Sequence, residues 1–282
     1  MFARAPASSA NLGPGFDTLA VALTLYVDVA LEFSDSLSIV SDGCGAGHFD
    51  DERHLGVRVA QSVLGHTNFS MRVTSSIPLS RGLGSSAALA VAAAAAAGAE
   101  SPLAVAASLD GHAENAAASV LGGLVVASVS ERDGVIARQL PLDDEWRFVV
   151  VVPDQELATA DARRVLPSQV TLVDAVHNLN SMGLLIAGLA NHHEFVGVSM
   201  DDYLHQPYRM GLLPFAAPLL QRLKESGAAA SCWSGAGSSM LALVTNETAG
   251  NVATAAKVFL HEHAIAGEVH VLDVDRTGLV IR

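Results

Sequence analysis

The stretch Pro78-Leu79-Ser80-Arg81-Gly82-Leu83-Gly84-Ser85-Ser86 runs directly into Ala87, Ala88 and a tract of strong helix formers. Two glycines let backbone N–H groups converge with no Cβ in the way, serine hydroxyls cap a helix or reach a ligand, and a helix N-terminus adds partial positive charge. Together they form a cradle for an anion, most often phosphate. An ordinary capped helix behind a glycine turn is the plainer alternative for an isolated GxG. A Walker A loop needs GK[ST], and no lysine is near. Residues 82–87 formally fit GxGxxA of a dinucleotide fold, but that turn leaves a strand directly, whereas a polar loop with Pro78 intervenes here. Without a loop lysine, phosphate charge must be met by Mg²⁺, backbone dipoles and Arg81.

Two further clusters carry polar chemistry. In PASSANLGPGFD, from Pro6 to Asp17, closely spaced Gly and Pro fix a tight backbone path and present Asn11 and Asp17 as a pair able to hold an ammonium or hydroxyl. The alternative is an Asx-rich turn between two strands. In Asp110-Gly111-His112-Ala113-Glu114-Asn115, two carboxylates four apart on one helical face would share a divalent ion, or divide between ion and substrate. Taken alone, that cluster reads as a solvated helix terminus. His112 has no second His or Cys at ligand spacing, and His192-His193 and His261-Glu262-His263 lack the i, i+4 arrangement, so no zinc site is expected.

The elements that must position these groups follow from periodicity. Phe69, Met71 and Val73 alternate with polar residues as in a half-buried strand, while Leu55, Val59 and Val63, with Ala60 and Leu64, mark a helix face that Gly65 ends. The apolar run from Phe148 to Val152 predicts a buried strand stopped by Pro153. Residues 170–190 read as a long helix, and Ala216, Leu219, Leu220 and Leu223 repeat helical spacing before Gly227. Strands at 228–233 and 239–244, a helix over 248–263 and a final strand pair complete a mixed α and β chain. A boundary is expected near 153–159, dividing it into residues 1–153 and 154–282.

Composition bounds the partners. The 282 residues carry 16 basic and 29 acidic side chains, a formal net charge of -13, and only two lysines, Lys224 and Lys257. Phosphate backbones demand clustered Lys and Arg, so no nucleic acid and no anionic membrane surface is expected. Apolar stretches such as the Ala tract are too short or too broken to span a bilayer. Cys44 and Cys232 fit neither a disulfide framework nor a CxxC site, and the N-terminus lacks a secretory apolar region. The expectation is a cytoplasmic, soluble protein.

The stretches PASSANLGPGFD, IPLSRGLGSSAA, DGHAEN followed by LGG, TADARRVLP, QPYR followed by LLP, and WSGAG resemble, in order, the motifs of homoserine kinases within the GHMP kinase superfamily. The first is the most specific; the GLGSS loop is shared across the superfamily. The resemblance implies an α+β, two-domain GHMP kinase fold, with an N-terminal domain like ribosomal protein S5 domain 2, a C-terminal ferredoxin-like domain and the active site between them.

By the same resemblance, the loop from Pro78 to Ser86 would wrap the phosphates of ATP, with Ser86 and Asp110 holding Mg²⁺. Asn11, Asp17, Glu114 and Asn115 would contact L-homoserine. Thr159 and Arg163 would lie near the reacting centre, Arg209 would help hold the amino acid, and Gly235, Ala236 and Gly237 would bring backbone close. Arg163 and Arg209 are forks suited to a carboxylate, and acidic and amide groups suit an ammonium. Asp17 is the nearest candidate for a base, though the chemistry compels none. The implied reaction is phosphorylation of the L-homoserine side-chain hydroxyl, with room for a homodimer. The alternatives are a GHMP kinase for another small alcohol and a non-catalytic binding protein.

Three departures stand out. Asp110 replaces the family's Glu and Glu114 its Asp, with Ala113 for Pro; Ser238 and Ala20 replace a Pro and a Gly; and the connector from Ala97 to Asp110 is short.

Overall fold

The computed structural model describes residues 1–47 and 50–282. Among them the strands form two sheets, of seven and four strands. The chain opens with β1 (Phe2–Asn11) and the long β2 (Gly15–Phe33), an antiparallel pair whose connecting turn is the Asn11 to Gly15 loop. The edge strand β3 (Ser38–Gly43) then precedes helix α1 (Leu55–Leu64), which Gly65 caps, and β4 (Phe69–Ser75) runs parallel to β3. In β4 the alternating Phe69, Met71 and Val73 are buried, as their spacing predicts.

The glycine loop feeds α2 (Ser85–Ala96), followed by α3 (Pro102–Asp110) and α4 (Ala113–Leu121). Helix α2 packs against β1 and β2 and against α1, α3 and α4. Its alanines from 90 to 96 are all essentially inaccessible. A helix enclosed on every side is apolar all round, and only small side chains let so many backbones approach it. Strands β5 (Leu124–Ser130) and β6 (Gly134–Leu140) extend the first sheet from β2.

The second sheet starts at β7 (Arg147–Pro153), so sheet membership changes six residues ahead of the boundary expected from sequence. Phe148, Val150 and Val152 face the core of the first layer while Val149 and Val151 face a second core, and a strand buried on both faces reads as a continuous apolar run. Beyond it lie α5 (Thr159–Arg164), α6 (Leu172–Ala190), the short α7 (Gln206–Arg209) and α8 (Ala216–Glu225). Strands β8 (Ala230–Trp233) and β9 (Met240–Val244), helix α9 (Ala249–Glu262) and strand β10 (Gly267–Leu272) finish this layer. Its antiparallel order β10-β7-β9-β8 is the ferredoxin-like order.

Two expectations change here. The last strands do not pair with each other: β11 (Val280–Ile281) returns to the first sheet and pairs with β1. One helix, α6, is also long and apolar enough to cross a membrane by length and composition, which a search for unbroken apolar runs passes over. Asp174, His177, Asn178 and Asn180 interrupt its apolar sequence. Asn178 is buried and donates to the Pro14 carbonyl at 2.8 Å, so α6 braces the β1–β2 turn.

Candidate active site

A cavity of about 740 Å³ opens between the two layers. Its wall contains all but one of the residues expected at the site: Asn11 and Asp17, the whole loop from Pro78 to Ser86, Asp110, Glu114, Asn115, Thr159, Arg163, Arg209 and Gly235. Ala236 lines it as well, but Gly237 does not. Gly237 packs beneath the phosphate loop, where a Cβ on Gly82 would meet its backbone and overlap the Ser234 carbonyl.

The glycine loop is stitched down from both sides. Ser8 donates its backbone N–H to the Leu83 carbonyl at 3.1 Å, and Ser234 Oγ donates to the Gly82 carbonyl at 2.7 Å. Gly84 caps α2 with φ of 63° and offers no side-chain cap. A Cβ there would overlap Ser8 Oγ and stand 2.9 Å from Asn115 Oδ1. Ser86 is exposed in the first turn of α2, which has no side-chain cap.

Arg81 departs from expectation. Its guanidinium donates to the carbonyls of Pro153 (2.8 Å), Leu79 (3.0 Å) and Asp154 (2.5 Å), and pairs with Glu156 at 3.3 Å. It straps the loop to the end of β7, so its fork is engaged by backbone oxygens.

In the same cavity wall Arg163 grips Asp17 with two bonds, at 2.9 and 2.8 Å, and this pairing holds the Arg163 guanidinium above its ordinary pKa. Both Asp17 oxygens are therefore engaged, which sets the carboxylate up to hold position and leaves a base role to compete with an ion pair. Asn11 is buried and spends its amide inside the protein: Oδ1 accepts from the Asp17 N–H at 3.0 Å and Nδ2 donates to the Gly235 carbonyl at 2.8 Å. Positive φ at Asn11, Leu12 and Asp17 marks the turn as held against local preference.

Asp110 and Glu114 do not share a helical face. Asp110 is the last residue of α3, Gly111 turns the chain with φ of 75°, and Glu114 sits in the first turn of α4. Asp110 Oδ2 lies 3.1 Å from His112 Nδ1, and this bond raises the His112 pKa. Glu114 is only 4% exposed, and burial pushes its carboxyl pKa up. Its Oε1 accepts from Asn115 Nδ2 at 3.0 Å, and Asn115 Oδ1 accepts from Ser8 at 2.9 Å. Asn115 thereby joins the carboxylate to the floor of the phosphate loop.

Arg209 is 2% exposed, and burial, aided by Arg163, lowers its pKa to about 10. Nε donates to the Ala162 carbonyl at 3.2 Å and Nη1 to the Gly235 carbonyl at 3.0 Å, while Nη2 has no hydrogen bond among the described residues. Three residues that sequence reading did not pick out surround it. Phe16 lies under both arginines, its ring 5.5 Å from the Arg209 guanidinium carbon and 5.6 Å from that of Arg163. His205 and Asp202 stand behind it, both with fully buried side chains. The spacing of His205 and Arg209, four apart beside a Pro at the start of a helix, was the available signal.

The donor set bears on a metal. Ser86 and Asp110 offer two hard oxygen ligands, and the described residues hold no group of three His, Cys, Asp or Glu suited to a metal. So sparse a set fits Mg²⁺ carried by phosphates, since Mg²⁺ takes one or two carboxylates and keeps waters.

A glycine loop at a buried helix, sharing a cavity with paired acids and arginines between an S5-like and a ferredoxin-like layer, is the architecture of a small-molecule kinase. Family models match the chain twice, GHMP kinases N terminal domain over residues 53–129 and GHMP kinases C terminal over residues 172–260. The homoserine kinase of Moorella thermoacetica is 39% identical over 254 residues, 85% of this chain and 86% of that one. The homoserine kinase of Desulfitobacterium hafniense is 36% identical over 293 residues, 99% of this chain and 98% of its own. A crystal structure of homoserine kinase from Cytophaga hutchinsonii superposes with a TM-score of 0.86 at 29% identity, covering 99% of this chain and 96% of that one. The chain belongs to the GHMP kinase family, among its homoserine kinases. An L. major mevalonate kinase in complex with R-mevalonate, with a TM-score of 0.72 at 14% identity over 98% of this chain and 96% of its own, shares the fold alone.

Proposed function

We propose that this chain transfers the γ-phosphoryl group of ATP to the side-chain hydroxyl of L-homoserine, giving O-phospho-L-homoserine and ADP. The observation that carries the reading is the single cavity that joins an uncapped, glycine-bounded helix N-terminus to Glu114, Asp17, Arg163 and Arg209. The loop from Pro78 to Ser86 holds the triphosphate by backbone N–H groups, with Arg81 acting as the strap that keeps the loop in place. Ser86 and Asp110 would hold Mg²⁺, which when bound neutralises charge on the phosphate oxygens.

The amino acid lies beyond the loop. Arg209, through Nη2, and Arg163 take the carboxylate with charge-assisted hydrogen bonds. Glu114 takes the ammonium, whose charge offsets the burial that raises its pKa. Asn11 and Asn115 shape the site from behind, and Gly235 supplies the carbonyl that aligns Asn11 with Arg209. Thr159, exposed at the start of α5, faces the transferring group. Phosphoryl transfer has a loose transition state, so alignment and charge can carry the rate without a base. Asp17, bound through both oxygens, orients Arg163.

Functionally the chain divides into residues 1–153, which carry the phosphate loop, and 154–282, which carry Thr159, Arg163 and Arg209. We place the reaction in the cytoplasm, with neither membrane nor nucleic acid as partner. A homodimer would use the exposed Leu172, Val173 and Leu179 of α6, which light scattering checks. The function itself is tested by a coupled ADP-release assay with L-homoserine, L-threonine, L-serine and mevalonate. Turnover with preference for homoserine, abolished in Asp110→Ala, is expected; preference for another alcohol, or binding without turnover, overturns the reading.

A further inference from the structure

We infer that His205 is a positioning residue for Arg209, holding the guanidinium that receives the substrate carboxylate; the inference rests on the function proposed above. His205 is completely buried, and its two ring nitrogens have different partners. Nε2 lies 2.8 Å from the Gly13 carbonyl, which only accepts, so Nε2 carries the proton. Nδ1 is then a lone pair, and it accepts from Arg209 Nη1 at 3.1 Å. The ring stacks on Phe16, with centroids 5.0 Å apart and planes at 22°, and Phe16 also lies beneath Arg209 and Arg163. Asp202 fixes the backbone by accepting from the N–H groups of Leu204 (2.8 Å) and Gln206 (2.6 Å), and its Oδ2 is 3.1 Å from His205 Nε2.

This arrangement requires a neutral imidazole, since a second ring proton would point at a guanidinium. Burial acts in that direction, lowering the His205 pKa to about 4, and Arg209 reinforces it against Asp202 and Asp17. His205 therefore ties the β1–β2 turn, through Gly13, to the rotamer of Arg209. With Nε and Nη1 committed to Ala162, Gly235 and His205, Nη2 remains for the ligand.

Two substitutions separate the nitrogens. His205→Asn can place an oxygen near the Nδ1 position and keep the bond to Arg209, while losing the bond to Gly13. His205→Gln can keep a donor near Nε2 while losing the acceptor for Arg209. In steady-state kinetics His205→Gln should raise KM for L-homoserine about 10- to 100-fold, the range for a hydrogen bond to a charged group. KM for ATP should stay within twofold, and His205→Asn should recover most of the loss. Thermal melts run beside the kinetics show whether each variant folds, and homoserine binding by calorimetry gives the same ranking if turnover is too slow. Equal homoserine KM in the two variants, or a parallel rise in KM for ATP, overturns the positioning role while leaving the functional reading intact. A wild-type protein that does not phosphorylate homoserine overturns both.

Discussion

Arg163 and Asp17, 146 residues apart in sequence, meet through two parallel hydrogen bonds in the cavity wall, joining α5 to the start of β2. Each side chain remains about 40% exposed, so the pair is screened and adds little to stability. Its value lies in geometry. Arg163→Lys keeps the charge and loses the fork, and is expected to lower kcat/KM for L-homoserine about a hundredfold while the melting temperature moves by no more than a degree or two. A double-mutant cycle with Asp17→Asn should show strong coupling in kcat/KM. Additive effects there would mean that the two residues act independently.

The phosphate loop is set by close approach at Gly84. With φ of 63° and Ser8 where a Cβ would go, Gly84→Ala should lower the melting temperature and raise KM for ATP at least tenfold. Ser8→Ala removes the overlapping hydroxyl and should restore part of both losses. If Gly84→Ala behaves like wild type, the loop is looser than its contacts imply.

Arg81 gives a sharper test of role. A strap bonded to three backbone carbonyls leaves those acceptors bare when removed, so Arg81→Ala should cost about 2 kcal/mol of stability. The rise in KM for ATP should be modest and nearly independent of salt. A stable variant whose ATP affinity collapses with a steep salt dependence would make Arg81 a phosphate ligand instead.

Stability should depend on pH through His205. Its pKa falls from 6.5 in the open chain to about 4 when folded, so the unfolded chain binds more protons between those values. The contribution is complete above pH 6.5 and is lost as pH falls toward 4. The stability difference between wild type and His205→Asn, measured by denaturant titration, should therefore grow from pH 4.5 to pH 7. A difference that stays constant would mean that the histidine takes up protons in the fold as it does in the open chain.

Much of this was legible in the chain because the signals were local. The alternation in β4, the cap at Gly65, the serine-rich entry to α2 and the long α6 depend on neighbours within a turn or two. The catalytic, binding and metal residues expected from the sequence line one cavity because they gather at element ends and in the loops between them. What escaped was set by partners far away. The strapping role of Arg81 was hidden because Pro153 and Asp154, which it bonds, lie over 70 residues on. The last two strands looked like a pair because the partner of β11 is at the opposite end of the chain. Asp110 and Glu114 looked coaxial because four-residue spacing was weighed above the glycine between them. The exchange of the two carboxylates relative to the family pattern falls across that break, so each is positioned by a different helix.

The most direct measurement is ³¹P NMR of the product after incubation of the purified protein with ATP, Mg²⁺ and L-homoserine. A new phosphomonoester signal that comigrates with authentic O-phospho-L-homoserine, appears with one equivalent of ADP and is absent with L-serine or mevalonate at equal concentration is the predicted result. Release of inorganic phosphate alone, or a phosphomonoester formed as fast on another alcohol, would contradict the account.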